Sequence, residues 1–145
     1  MKRMKNTHII LFVLTTFTAS FITCKDYESS PEPEGQILIG NDMFKNYPND
    51  PITISGAAIV DDSLQISFGA SCCDGKSWQV KLVGSGEVLY SLPPQRSIRL
   101  SLKNDELCTA VCGRTLKFDL LPCRVNGNQI ILNLEGWDKP LIYNY

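Results

Sequence analysis

Asp62-Ser63-Leu64-Gln65-Ile66-Ser67-Phe68 decides the fold. Leu64, Ile66 and Phe68 fall on every second position, with Gln65 and Ser67 between them. Successive side chains of a strand point to opposite faces, so this spacing makes one face apolar and the other wet; a helix would need a period near 3.6. The same alternation recurs downstream. Trp78, Val80 and Leu82 alternate with Gln79 and Lys81; Ile98, Leu100 and Leu102 with Arg99, Ser101 and Lys103. Leu116, Phe118 and Leu120 alternate with Lys117 and Asp119, and Ile130, Leu132 and Leu134 with Ile131 and Asn133.

Turn-forming residues separate these runs: Asp61-Asp62, Gly84-Ser85-Gly86, Pro93-Pro94, Asn126-Gly127-Asn128 and Gly136-Trp137-Asp138. Asn-Gly is the strongest short hairpin signal, so Asn126-Gly127 is expected to join two paired strands. Many short strands at this spacing predict an all-β domain, an antiparallel β-sandwich (Ig-like) or small barrel, with at most one short helical turn. The candidate for that turn is residues 105–113, with Asn104 or Asp105 as cap and Gly113 as terminator.

The chain has 145 residues, and its first part reads differently. Lys2, Arg3 and Lys5 precede an uncharged apolar run from Ile9 to Ile22, too short and Thr-rich for a comfortable membrane span. Phe21-Ile22-Thr23-Cys24 follows, then polar Lys25-Asp26-Tyr27-Glu28. This resembles the lipobox of bacterial lipoproteins, in which the cysteine becomes the acylated first residue. The resemblance implies a signal peptide over 1–23, a fatty-acid anchor such as palmitate on Cys24, and a place in the cell envelope, at the outer membrane. Residues 24–50, rich in Pro, Asn and acid, are expected to be a lipidated flexible tether, and 51–145 the all-β domain. Within the tether, Gln36-Ile37-Leu38-Ile39-Gly40 is an apolar island suited to an edge strand.

Composition narrows the function. Without Lys2, Arg3 and Lys5, the mature chain keeps eleven basic against fifteen acidic residues, a net of about −4. No basic cluster follows the signal, so nucleic acid is not an expected partner. The single histidine is His8, inside the signal, so Ser-His-Asp, Cys-His and His-ligated metal chemistry are not expected. Asp61-Asp62 is a visible carboxylate pair, but it sits at a predicted hairpin turn. Gly84-Ser85-Gly86 lacks the helix and Lys of a phosphate loop, and Asn41-Asp42 and Asn49-Asp50 lack calcium-loop spacing. No cofactor and no enzymatic activity are expected. Trp78, Tyr143 and Tyr145 are in phase with core positions, whereas Trp137 lies in a turn and is the aromatic expected to be exposed for ligand contact.

Besides Cys24, the mature chain carries Cys72, Cys73, Cys108, Cys112 and Cys123. In an oxidising compartment five thiols in one small domain read as disulfides with one thiol left over. Residue spacing alone leaves the pairing open. A wider resemblance covers residues 60–145. The frame Leu64-x-Ile66-x-Phe68, Cys72, Cys108-Thr109-Ala110 and Leu116-Lys117-Phe118-Asp119-Leu120 is similar to a group of small uncharacterised lipoproteins of the Bacteroidota, with a weaker likeness to NigD-type lipoproteins. The resemblance implies a Cys72–Cys108 bridge. Cys112 could then reach Cys73, with Cys112–Cys123 as the competitor. The expected role is a non-catalytic envelope lipoprotein, a structural or interaction module held to the membrane by its lipid. The alternative is a surface module that binds glycan or another small ligand through Trp137; the expected partner is the membrane, through the lipid, and a protein or glycan partner is left unidentified.

Overall fold

The protein is described here over residues 35–145 of a computed structural model; the expected signal segment, Cys24 and the expected tether up to residue 34 lie outside the described residues. In chain order the elements are β1 (Gly35–Gln36), β2 (Leu38–Ile39), helix α1 (Asn41–Asn46), β3 (Thr53–Val60), β4 (Ser63–Cys72), β5 (Gln79–Gly84), β6 (Gln95–Lys103), β7 (Ala110–Asp119), a 3-10 turn (Leu121–Cys123), β8 (Gln129–Leu134) and β9 (Leu141–Asn144). They form a four-stranded sheet ordered β1-β7-β4-β3 and a five-stranded sheet ordered β2-β5-β6-β8-β9. Leu64, Ile66, Phe68, Leu116 and Phe118 of the first sheet share one core with Leu82, Ile98, Leu100, Leu102, Ile130 and Leu132 of the second. Each such side chain, fully buried, contributes about 1.5–3 kcal/mol. These are the in-phase residues of the five alternating runs, so the inward faces were correctly drawn from period two.

The all-β class holds, and neither sheet closes into a barrel. The sheets are mixed rather than antiparallel: β1 runs parallel to β7, β2 to β5 and β6 to β8. The third case explains the failure of the Asn126-Gly127 hairpin. Gly127 does adopt positive φ, 121°, but β7 belongs to one sheet and β8 to the other. The turn redirects a crossover between layers, and the turn chemistry is local while the pairing is not. Asp61-Asp62 is a hairpin turn as expected, with Val60 opposite Ser63 and Asp61 at φ 53°.

Helix also falls elsewhere than expected. Residues 105–113 are not helical, because β7 starts at Ala110 and pairs with β4 along its whole length. Asn104 caps no helix; its Oδ1 accepts from Glu106 N at 3.0 Å and its Nδ2 donates to Ser71 O at 2.7 Å. The described helical segments are α1 and the 3-10 turn.

The tether expectation is corrected from residue 35 onward. The apolar island does supply edge strands, one to each sheet, with Ile37 between them 3% exposed. Residues 41–50 then lie on the outer face of β6, held by a buried arginine. Arg99 donates from Nε to Phe44 O (2.9 Å), from Nη2 to Tyr47 O (2.9 Å) and from Nη1 to Pro48 O (3.2 Å). Ser101 Oγ donates to Pro48 O at 2.6 Å, and Asp50 N to Leu102 O at 3.1 Å. Arg99 thus satisfies carbonyls at and just beyond the C-terminus of α1, where a cation is favoured by the helix dipole. The alternation of β6 had placed Arg99 and Ser101 on a wet face; instead they are buried beneath this segment.

Candidate functional site

The end of the molecule where β4 finishes and β7 begins carries most of the chain's unusual chemistry. Cys72 is bonded to Cys112 (Cα–Cα 5.7 Å) and Cys73 to Cys108 (Cα–Cα 5.0 Å). Four of the five cysteines bridge and one is left over, as expected, but the Cys72–Cys108 pairing is overturned and Cys112–Cys123 does not form. Strand register gives the reason. Ala70 lies opposite Cys112 and Cys72 opposite Ala110, which makes Cys72 and Cys112 diagonal neighbours on the core face. Cys73, the next residue, turns to the other side and is exposed, as is Cys108. Vicinal cysteines on an extended chain face apart, so the two bridges lie side by side and nest, one loop inside the other.

Between the bridges, loop 73–78 is organised around one carboxylate. Glu106 Oε2 accepts from Cys73 N (2.5 Å), Gly75 N (3.1 Å) and Asp74 N (3.2 Å), and its Oε1 accepts from Ser77 Oγ (2.7 Å). The Ser77 hydroxyl and then the Cys73 amide hold the Glu106 carboxyl down at about 2, against an ordinary 4.5. Gly75 stands at φ 70°, which a β-carbon would disfavour. Its carbonyl accepts from Arg114 Nη2 at 2.6 Å, and that guanidinium lies 5.2 Å from the Trp78 ring centroid. Trp78 is 6% exposed and in contact with the core, as its phase predicted.

On this stiff frame two apolar side chains face solvent: Leu107 is 96% exposed and Val111 79%. Val111 borders a shallow groove over the sheet whose floor includes Ile52, Thr53, Gly69 and Ser71. Leu107 carries no sequence signal: it lies outside every alternating run and inside the helical turn expected at 105–113. Val111 was hidden inside the expected helix.

The remaining expected site residues lie elsewhere. Trp137 is not exposed but half-buried against the core, with its indole nitrogen enclosed. A turn at Gly136 (φ 79°) brings it over β3, where it borders a hollow with Gly56, Ala57 and Gln65. Tyr143 is buried and Tyr145 half-buried. Cys123 is the free thiol, fully buried, and burial pushes its thiol up to about 12. Cys24 lies outside the described residues. Among the described residues no group of three or more His, Cys, Asp or Glu side chains is placed to hold a metal ion.

No family model and no curated protein matches the sequence. Solved structures do resemble the fold. A Bacteroides vulgatus protein of unknown function, DUF1344, superposes with a TM-score of 0.54 at 18% identity, over 78% of this chain and 57% of that one. A NigD-like immunity protein from Bacteroides caccae superposes with a TM-score of 0.58 at 12% identity, over 72% of this chain and 53% of that one. The chain therefore spans little more than half the length of either. At these identities the likeness is one of fold; it agrees with the weak NigD-type resemblance and extends no further.

Proposed function

We propose that this is a non-catalytic envelope lipoprotein, anchored through Cys24, that works as an interaction module and presents its disulfide-linked end to a protein partner. The observation that carries the reading is the pair Leu107 and Val111, 96% and 79% exposed, one on the loop before β7 and one at the start of β7, at an end fixed by two disulfides and the Glu106 hydrogen bonds. Exposed apolar side chains on a preorganised frame lose little conformational freedom on binding, which is the economical way to build a small contact surface. Several reactive groups among the described residues are engaged in structure: four thiols in bridges, the Glu106 carboxylate in loop 73–78, and Asp62 in a bond from Tyr143. The glycan alternative loses its main support with the half-burial of Trp137.

The test is in-cell photo-crosslinking from position 110 or 113, beside the two side chains, in the acylated protein. A discrete protein adduct that disappears in Leu107→Ser/Val111→Ser supports the reading. An adduct unchanged in that variant, or no adduct from either position, contradicts it. Fatty-acid labelling that persists in Cys24→Ser would remove the anchor from the proposal.

A further inference from the structure

We propose that the tip of the β5–β6 connection is a lipid-binding element that rests on the bilayer surface. This rests on the reading of Cys24 as the anchored residue. Strands β5 and β6 do not turn tightly at Gly84. Their ribbon continues beyond the sheet, with Leu89 N and O both bonded to Gln95 O and N at 2.9 Å. At the tip, Leu89 is 65% exposed, Tyr90 89% and Leu92 100%. No charged residue occurs from Val88 to Gln95. The polar side chains of Ser91 and Gln95 are partnered: Ser91 Oγ donates to Pro93 O at 2.6 Å, and Gln95 Nε2 donates to Ser91 Oγ at 3.1 Å. A partnered polar side chain costs less to bring to an interface than a bare one. Tyr with flanking Leu is the side-chain chemistry of the headgroup boundary, where an apolar body is buried and a hydroxyl stays wet.

The position of the anchor selects a bilayer over a soluble partner. Gly35 pairs with Phe118, one register step from the end of β7, and Ile39 pairs with Gly84, the residue from which the ribbon departs. Cys24 precedes Gly35 by eleven residues, so a lipid on Cys24 lies within about 36–40 Å of Gly35 even at full extension of the chain. The β1–β2 segment and the ribbon base therefore lie at the same corner of the molecule, and the tip lies within reach of the surface the anchor occupies. With no Lys or Arg from Val88 to Gln95, the recognised chemistry is the apolar boundary of the bilayer rather than anionic headgroups. Contact there would turn the Leu107–Val111 end outward.

The test uses residues 24–145 with Cys24→Ser, so that no acyl chain contributes, and vesicles of phosphatidylethanolamine with a minor share of phosphatidylglycerol. The parent should float with the vesicles, and Tyr90→Ser/Leu92→Ser should partition at least about tenfold less. Both side chains point to solvent, so the melting temperature should not move; this separates loss of binding from loss of fold. Leu92→Trp should show fluorescence quenching by brominated lipid beyond that of the parent. Equal partition of parent and double variant, no flotation of either, or a change of oligomeric state in the variant without a change in partition would each overturn the proposal. The anchor is read out separately: a full-length chain that incorporates no fatty acid, while the parent domain still floats, refutes the anchor and leaves the tip standing.

Discussion

At one end of the sandwich β4 is joined to β7 by the Cys72–Cys112 bridge, and the loops that follow β4 and precede β7 are joined by Cys73–Cys108. At the other end the bonds are noncovalent, and side chains reach from one sheet to the other. Tyr143 of β9 donates to Asp62 Oδ1 at 2.6 Å, and Arg124 donates to Tyr143 Oη at 3.0 Å and also pairs with Asp62. Tyr145 accepts at its hydroxyl from Val125 N at 3.0 Å, and Leu120 N donates to Asp62 O at 2.8 Å. The contrast shows where oxidation is spent. The disulfides restrain two long loops that have little core of their own, whereas the hydrogen-bonded end lies directly over Phe118, Leu120 and Tyr143, all buried. One end should therefore answer to reductant and the other to changes in its polar side chains.

Breaking the covalent end should have the largest effect. The Cys72–Cys112 bridge spans a sequence separation of 40, worth about 4 kcal/mol in the chain-entropy account. Cys72→Ala/Cys112→Ala should lower the melting temperature by about 15–20 °C, and either single variant should cost as much. Cys73–Cys108 closes only a short extra loop inside the first, so its removal should cost about 2 kcal/mol. Because Cys73 and Cys108 are exposed, limiting reductant followed by alkylation should label them before Cys72; labelling of Cys72 first would refute the pairing order.

Arg99→Ala comes next, and it probes the opposite case, a segment held without a covalent bond. It orphans the carbonyls of Phe44 and Tyr47 and leaves Pro48 O with Ser101 alone, and should cost about 3 kcal/mol by thermal melting. Amide protection should be lost over residues 41–50 before the rest of the sheet. Tyr143→Phe, at the hydrogen-bonded end, keeps the ring and should cost about 1 kcal/mol. A cost as large as that of a disulfide would erase the distinction between the ends.

Acid should act on the covalent end chiefly through the carboxylate that organises loop 73–78. The folded pKa of Glu106 is depressed, so its contribution is complete above about 4.5 and is lost as pH falls from there toward about 2. Glu106→Gln should flatten that part of the stability–pH curve, measured by melting between pH 5 and 2, while leaving the melting temperature at pH 7 lower than that of the parent. Cys123 should give the smallest response. As a buried thiol raised to about 12, it should resist iodoacetamide at pH 8 in the native state and react only on unfolding.

What the sequence determined by itself was the five alternating strands and their inward faces. Leu64-Gln65-Ile66-Ser67-Phe68 needs no knowledge of its neighbours to alternate, because the period of two is a property of the extended backbone. Trp78 in phase with Leu82, the Asp61-Asp62 turn and the apolar island at Gln36–Gly40 were legible for the same local reason. Tertiary structure decided everything that depends on which strand lies beside which. Register between β4 and β7 chose Cys112 over Cys108 for Cys72, two candidates only four residues apart. The layer crossing between β7 and β8 made the Asn126-Gly127 turn serve no hairpin, and the parallel pairings carry no local signal at all. Arg99 shows the limit most plainly: by alternation it belongs to solvent, and it is buried because residues 41–50, polar enough to read as tether, supply the carbonyls that satisfy it.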